Sequence, residues 1–229
     1  MPAPAAILFD LWGTLVPGIP PAVRDAVSRE MAADLGVDPD AFAAIYRDSY
    51  RERFTGELGA LHETILELAR RCGGDPGAEA LDRAAARRLD LTRGLLRSDE
   101  TTLAVLDELR STGLPLGLVS DSSAETPAIW DGSPLAARIA VTAFSCLVGV
   151  RKPGAAIYLH AVALLGVDPG RCLYVGDGGG GELTGAAALG MDAVRLRVPG
   201  DAPSDRYDDD ATFAGPEIAA LADLVDRLG

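Results

Sequence analysis

Ala6-Ile7-Leu8-Phe9 is a short apolar run that stops abruptly at a carboxylate, Asp10, with Leu11-Trp12-Gly13-Thr14-Leu15 directly after it. The run is too short for a helix. Its unbroken apolarity is that of a strand buried on both faces, as in a parallel sheet. Asp10 then falls at the strand's carboxyl end, where open α/β sheets place their ligands. Gly13 frees the backbone to turn sharply, and Thr14 sets a hydroxyl beside the carboxylate. Taken alone, the stretch reads as an aspartate capping a turn. Three later stretches give it a chemical reading.

From Pro17 the strand signal stops, and Pro17, Gly18, Pro20 and Pro21 make a stiff connector. Four helices are predicted next, over 21–35, 38–54, 58–72 and 76–96. Val23, Val27, Met31 and Leu35 recur at four-residue spacing and Gly36 is a stop. Four helices with short joins make a small bundle. Ser98 is a candidate cap for a helix through Leu109, ended by Gly113. Leu114 to Ser120 is the next buried strand and ends in a hydroxyl. A short segment over 141–150 follows. Lys152-Pro153 opens a helix to Leu165, and Arg171 to Asp177 is a strand ending in a second carboxylate. A helix from Glu182 to Leu189, a strand over 193–196 and a last amphipathic helix over 216–228 complete the pattern. The triplet Asp208-Asp209-Asp210 reads as solvated surface.

Strands alternating with helices imply right-handed crossovers and an α/β, doubly wound parallel sheet. The expected division is a Rossmann-like core from 1–16 and 97–229, with an inserted helical-bundle cap over 17–96 lying across the strand ends. The net charge of −13 argues against nucleic acid or an anionic membrane as partner. It permits an anionic substrate, because a lysine, a metal ion or backbone N–H groups can reverse the field in one pocket. Cys72, Cys146 and Cys172 are widely spaced and odd in number. They read as buried free thiols of a protein in a reducing, cytoplasmic setting. No signal peptide or membrane span is expected. His62 and His160 fall in helical stretches and are assigned no catalytic role. A monomer and a homodimer are both compatible with the sequence.

Four strand or loop ends therefore carry polar groups that can converge: Asp10 with Thr14, Ser120, Lys152, and Asp177 with Glu182. In this order, Phe9-Asp10-Leu11-Trp12-Gly13-Thr14-Leu15, Leu118-Val119-Ser120-Asp121, Lys152-Pro153-Gly154-Ala155-Ala156-Ile157-Tyr158 and Val175-Gly176-Asp177 through Glu182 resemble the motifs of the haloacid dehalogenase superfamily. The resemblance spans the whole chain and extends to the helical cap. It implies a nucleophilic Asp10 that forms a covalent aspartyl intermediate. It also implies that Ser120, Lys152, Thr14 and Gly13 bind the transferring group. Mg2+ would be held by Asp10, the backbone carbonyl of Trp12, Asp177, and Glu182, the last directly or through water. Physical chemistry agrees, because carboxylates sharing a dry cleft need a cation between them.

Three departures matter. Family phosphatases carry a second aspartate two residues after the nucleophile, as general acid and base. Trp12 stands there and exchanges no proton at neutral pH. Losing such a group typically lowers rates by about 10²–10⁴-fold. The superfamily's dehalogenases carry a tyrosine there, so an aromatic pulls toward them, whereas Gly176-Asp177 resembles the metal-binding form of the phosphotransferases. Glu182 replaces a usual aspartate, and Asp121 a usual asparagine. A dehalogenase also needs an arginine for the halide. Arg47, Arg51 and Arg53 are the candidates, with a solvated helix face as the plainer reading. Leu58, Leu61 and Phe54 are candidates to face the cleft, with core packing as the plainer reading. The resulting expectation is a Mg2+-dependent phosphatase of a small phosphorylated metabolite. A 2-haloacid dehalogenase, or a binding protein without turnover, is the alternative.

Overall fold

The computed structural model describes residues 3–198, 210 and 213–228. Strand β1 (Ala6–Phe9) is followed by helices α1 (Pro21–Leu35), α2 (Pro39–Asp48), α3 (Tyr50–Phe54), α4 (Leu61–Arg71) and α5 (Ala78–Leu95). Next come α6 (Glu100–Ser111), β2 (Leu116–Ser120), α7 (Glu125–Ile129), β3 (Val141–Phe144), α8 (Ser145–Val148) and α9 (Ala155–Leu165). The chain continues through β4 (Cys172–Gly176), α10 (Glu182–Ala188), β5 (Asp192–Leu196), β6 (Glu217–Ile218) and α11 (Asp223–Leu228).

The strands form one sheet in the order β3-β2-β1-β4-β5-β6, and every pairing is parallel. β1 is central, with Ile7 opposite both Leu116 and Leu173. Its four residues are fully buried because both faces are covered. Ile7 and Phe9 point into a core shared with α6 and α11, and Ala6 and Leu8 into a second core shared with α9 and α10. The strand order reverses between β1 and β4. At such a switch point the two loops leave toward opposite faces and open a crevice. Asp10 and Asp177 follow these two strands.

Helices α1, α2, α4 and α5 enclose a third core around Met31, Phe42, Leu61, Ile65 and Leu68. Leu61 is part of it and Leu58 packs against it, while the Phe54 ring stacks on Tyr50 at 4.0 Å. The predicted second helix is broken at Ser49, whose hydroxyl donates to the Tyr46 carbonyl at 2.9 Å. A side chain bonding back onto its own helix competes with the helical ladder there. The cap of α6 is Asp99 and not Ser98. Asp99 accepts from the Thr102 N–H at 2.7 Å, while Ser98 donates to the Leu15 carbonyl at 2.8 Å. Ser98 thus ties the chain returning from the helices to the end of the β1 turn. The helix expected over 216–228 splits into β6 and α11, because Glu217 and Ile218 pair with Arg195 and Leu196 at the sheet edge. Of the three thiols only Cys172 is fully buried. No helix among the described residues is long and apolar enough to cross a membrane.

Candidate active site

Asp10 extends β1 by one residue, its N–H donating to the Val175 carbonyl at 2.9 Å. Its carboxylate lies at the switch point and is buried. Lys152, just ahead of α9, bonds both Asp10 Oδ1 and Glu182 Oε2 through Nζ. Glu182 opens α10 and is completely buried. It also accepts from the Tyr174 hydroxyl at 2.8 Å and the Gly178 N–H at 2.9 Å. Asp177 accepts from the Gly179 N–H at 2.9 Å, and the Thr14 hydroxyl points at Asp10 Oδ2 from 3.4 Å. One carboxylate oxygen from each of Asp10, Asp177 and Glu182 lies within 4.8 Å of the others.

Two glycines make this crowding possible. Gly13 sits at φ +91°, and a Cβ there would collide with Asp177 Oδ2. A Cβ on Gly176 would collide with the Glu182 carboxylate. The electrostatics follow from the packing. Burial, then the nearby Glu182, push the Asp10 carboxyl well above the usual carboxylate range against the pull of Lys152. The same two causes push Asp177 up to about 7. Burial disfavours the Lys152 ammonium, but Asp10 and Glu182 outweigh it and keep Lys152 charged. Three acids around one lysine leave the pocket short of positive charge.

The sequence thus pointed to Asp10, Thr14, Lys152, Asp177 and Glu182, and the fold brings these together. Ser120 ends the strand beside β1, but its buried hydroxyl is engaged with Ser122 Oγ at 2.7 Å. The Trp12 ring packs against the core under β1. Two contributors, Tyr174 and Tyr158, were not foreseen, and Asp121, singled out in the sequence where an asparagine is usual, gains a definite partner. Tyr174 bonds Glu182 from β4, Tyr158 donates to the Glu182 carbonyl at 2.8 Å, and Asp121 accepts the Lys152 N–H at 2.9 Å. Only the paired strand and helix reveal the aim of the two tyrosines.

Arg53 is buried and does not belong to a solvated face, whereas Arg47 and Arg51 are exposed. Arg53 bonds Ser49, the Tyr46 carbonyl and Ser123, the last on the loop that follows Ser120. Beside it Arg88 of α5 and Glu125 of α7 form a buried ion pair at 2.6 Å. Burial would raise the Glu125 carboxyl, but Arg88 and then Arg53 prevail and hold it below the usual 4.5. A carboxylate depressed on folding adds stability above its ordinary value, and that stability is lost as the pH falls through the lower folded value. Glu125→Gln should therefore destabilise the protein by about 2 kcal/mol near neutrality. It should also flatten the decline of Tm below about pH 4.5, where the native carboxylate becomes protonated. Melting curves across that range, wild type against variant, check both.

A cluster of three carboxylates at the switch point of a doubly wound parallel sheet defines the class of site, an α/β core with its polar groups gathered at the strand ends. The sequence profile of the haloacid dehalogenase-like hydrolases matches residues 4–190, and the chain belongs to that family. A glyceraldehyde 3-phosphate phosphatase of Methanopyrus kandleri is 30% identical over 84% of this chain and 83% of its own length. The structure of a haloacid dehalogenase-type phosphatase from Thermococcus onnurineus superposes with a TM-score of 0.62 at 25% identity, covering 98% of this chain and 97% of that one. The L-2-haloacid dehalogenase of Xanthobacter autotrophicus superposes equally well, with a TM-score of 0.62 over 97% of each chain. At 18% or 19% identity that likeness reflects the fold alone. The protein is accordingly a hydrolase of this family.

Proposed function

We propose that this hydrolase is a Mg2+-dependent phosphatase acting on a small phosphorylated metabolite in the cytoplasm. The observation that carries the reading is the trio of carboxylates within 4.8 Å of one another around a single lysine. The donors are hard oxygens, the set that Mg2+ prefers, and a divalent cation would offset the excess negative charge. Asp10, Asp177 and the Trp12 carbonyl would hold it directly. Glu182, whose oxygens are already engaged by Lys152, Tyr174 and the Gly178 N–H, would act through water. When bound, Mg2+ supplies charge for the phosphoryl oxygens.

The chain's own residues supply the rest. Asp10 attacks phosphorus and becomes the aspartyl phosphate, the ester oxygen leaves, and water then cleaves the acyl phosphate. Lys152 holds Asp10 in place and adds positive charge for the phosphoryl group. Thr14 and the Gly13 turn bind its oxygens. Ser120 would join them once its hydroxyl turns from Ser122. Residues 1–16 with 97–229 form the core domain and 17–96 the cap, which screens the pocket. The phosphatase relatives support this reading over dehalogenation. So does the engagement of the candidate halide arginines: Arg47 pairs with Asp25, Arg51 with Glu57, and Arg53 is held by Ser49, Tyr46 and Ser123.

Hydrolysis of an aryl phosphate with and without Mg2+ tests the reading. Metal-dependent turnover is expected, and no turnover in either condition would overturn it. Trp12 sharpens the expectation. With no proton donor two residues after the nucleophile, leaving groups that need no proton should be preferred, so aryl and acyl phosphates should exceed alkyl phosphates. Trp12→Asp should raise alkyl-phosphate hydrolysis by up to about 10²-fold, at the lower end of general acid/base effects. Equal rates on alkyl and aryl substrates in the wild type would place the acid elsewhere.

A further inference from the structure

The triplet Asp208-Asp209-Asp210 reads as solvated surface in the sequence. Asp208 and Asp209 lie outside the described residues, but Asp210 is 4% exposed. Its carboxylate accepts the Thr184 N–H at 2.6 Å and the Thr184 hydroxyl. Its own N–H donates to the Gly178 carbonyl at 3.0 Å. Its carbonyl accepts from Arg195 and from the Phe213 N–H at 3.0 Å, and the Arg195 guanidinium lies over the Phe213 ring. One residue therefore grips both ends of a single loop. Gly178 begins the loop just after Asp177, and Thr184 lies in the first turn of α10 just after Glu182.

What lies between needs such a grip. Gly178-Gly179-Gly180-Gly181 is four glycines in succession, and Gly178, Gly180 and Gly181 adopt φ of +100°, +66° and +72°. Glycine loses more conformational freedom on ordering than any other residue, so this loop is the costliest tetrapeptide to fix. Within the loop, the Gly178 and Gly179 N–H groups donate to the carboxylates of Glu182 and Asp177. These two groups repel one another, which gives the loop a reason to spread. Arg195 of β5, held beside Glu217 of β6, connects Asp210 to the sheet edge.

We propose that Asp210 is a positioning residue that clamps the Gly178–Gly181 loop at both ends and so sets the separation of Asp177 from Glu182. Its consequence for metal rests on the phosphatase reading, whereas the clamp itself does not. Residues behind a metal site typically change affinity or activity by about 10–100-fold when removed.

Amide hydrogen exchange over 176–186 in the full chain tests the clamp, alongside calorimetric titration with Mg2+. In Asp210→Ala, exchange over the loop should quicken by about tenfold and the Mg2+ Kd should rise about tenfold. The KM for an aryl phosphate should stay within about twofold, while kcat at limiting Mg2+ falls. Asp210→Asn, which keeps an oxygen for the Thr184 N–H, should restore most of the protection. Unchanged loop exchange and unchanged Kd in a folded Asp210→Ala protein would overturn the proposal. If Asp210→Ala does not fold, Thr184→Val decides, since it removes the hydroxyl bond alone. Faster exchange confined to the loop supports the clamp, and unchanged or uniformly faster exchange rejects it. A wild-type protein that binds no Mg2+ would defeat the phosphatase reading, and the exchange data would still decide the role of Asp210.

Discussion

Asp10→Asn should abolish hydrolysis of an aryl phosphate, by about 10⁴-fold or more, as loss of a nucleophile does in other covalent hydrolases. The same variant should melt no lower than wild type. Asparagine has the shape of aspartate, and its amide oxygen can still accept from Lys152. It removes one negative charge from a pocket where burial and Glu182 already push the Asp10 carboxyl well up. Active sites often hold such unfavourable charge at the expense of stability. Initial rates at saturating substrate and a Tm comparison test the pair of expectations. Activity within tenfold of wild type would remove Asp10 as the nucleophile.

The second large effect concerns stability. Lys152→Met should destabilise the protein by about 3–5 kcal/mol at neutral pH, the usual result of removing one partner from a buried ion pair. Lys152 bonds the buried carboxylates of Asp10 and Glu182 at once. Without it the Asp10 carboxyl rises further, so the folded variant binds a proton more tightly than the unfolded chain. Its stability must then increase as the pH falls toward the unfolded carboxylate range. Denaturant melts of variant and wild type at pH 7 and pH 5 should show the gap narrowing. A gap independent of pH would mean that the loss comes from packing of the lysine stem and not from charge.

The sheet was legible because its strands are short, unbroken apolar runs that end in single polar residues. Phe9-Asp10, Val119-Ser120 and Gly176-Asp177 each mark a strand end within a residue. Asp10 and Asp177 could be read for the same reason, as residues at neighbouring strand ends, whereas Lys152 and Glu182, at the starts of helices, were found through the resemblance of their stretches to the family motifs. Contacts made across the fold were not legible. The break at Ser49 depends on one hydroxyl turning back to Tyr46, and the second helix otherwise shows no stop. Arg53 lies between Arg51 and Glu52 on one side and Phe54 on the other, a pattern of a wet helix face, yet its partner Ser123 arrives from seventy residues downstream. Asp210 sits in an acidic triplet, and only the return of the chain to Gly178 and Thr184 buries it. Strand β6 was missed because two residues carry too little pattern to register.

The central place of β1 also has a consequence for how the chain comes together. Its neighbours, β2 and β4, lie more than a hundred residues further along, at Leu116 and Leu173 opposite Ile7. Helices α1 to α5 are made in between, and their core is built from nearby residues. As the chain leaves the ribosome the helical bundle can therefore close early, while an apolar strand ahead of it waits without partners. Pairings this remote pay their loop-closure entropy before any contact rewards them, so completing the sheet around β1 is expected to be slower than closing the helical bundle. The segment ending in Asp10 is thus synthesised before either partner strand and paired only after both have followed. During that interval Ala6-Ile7-Leu8-Phe9 is the part of the molecule most in need of protection from other chains.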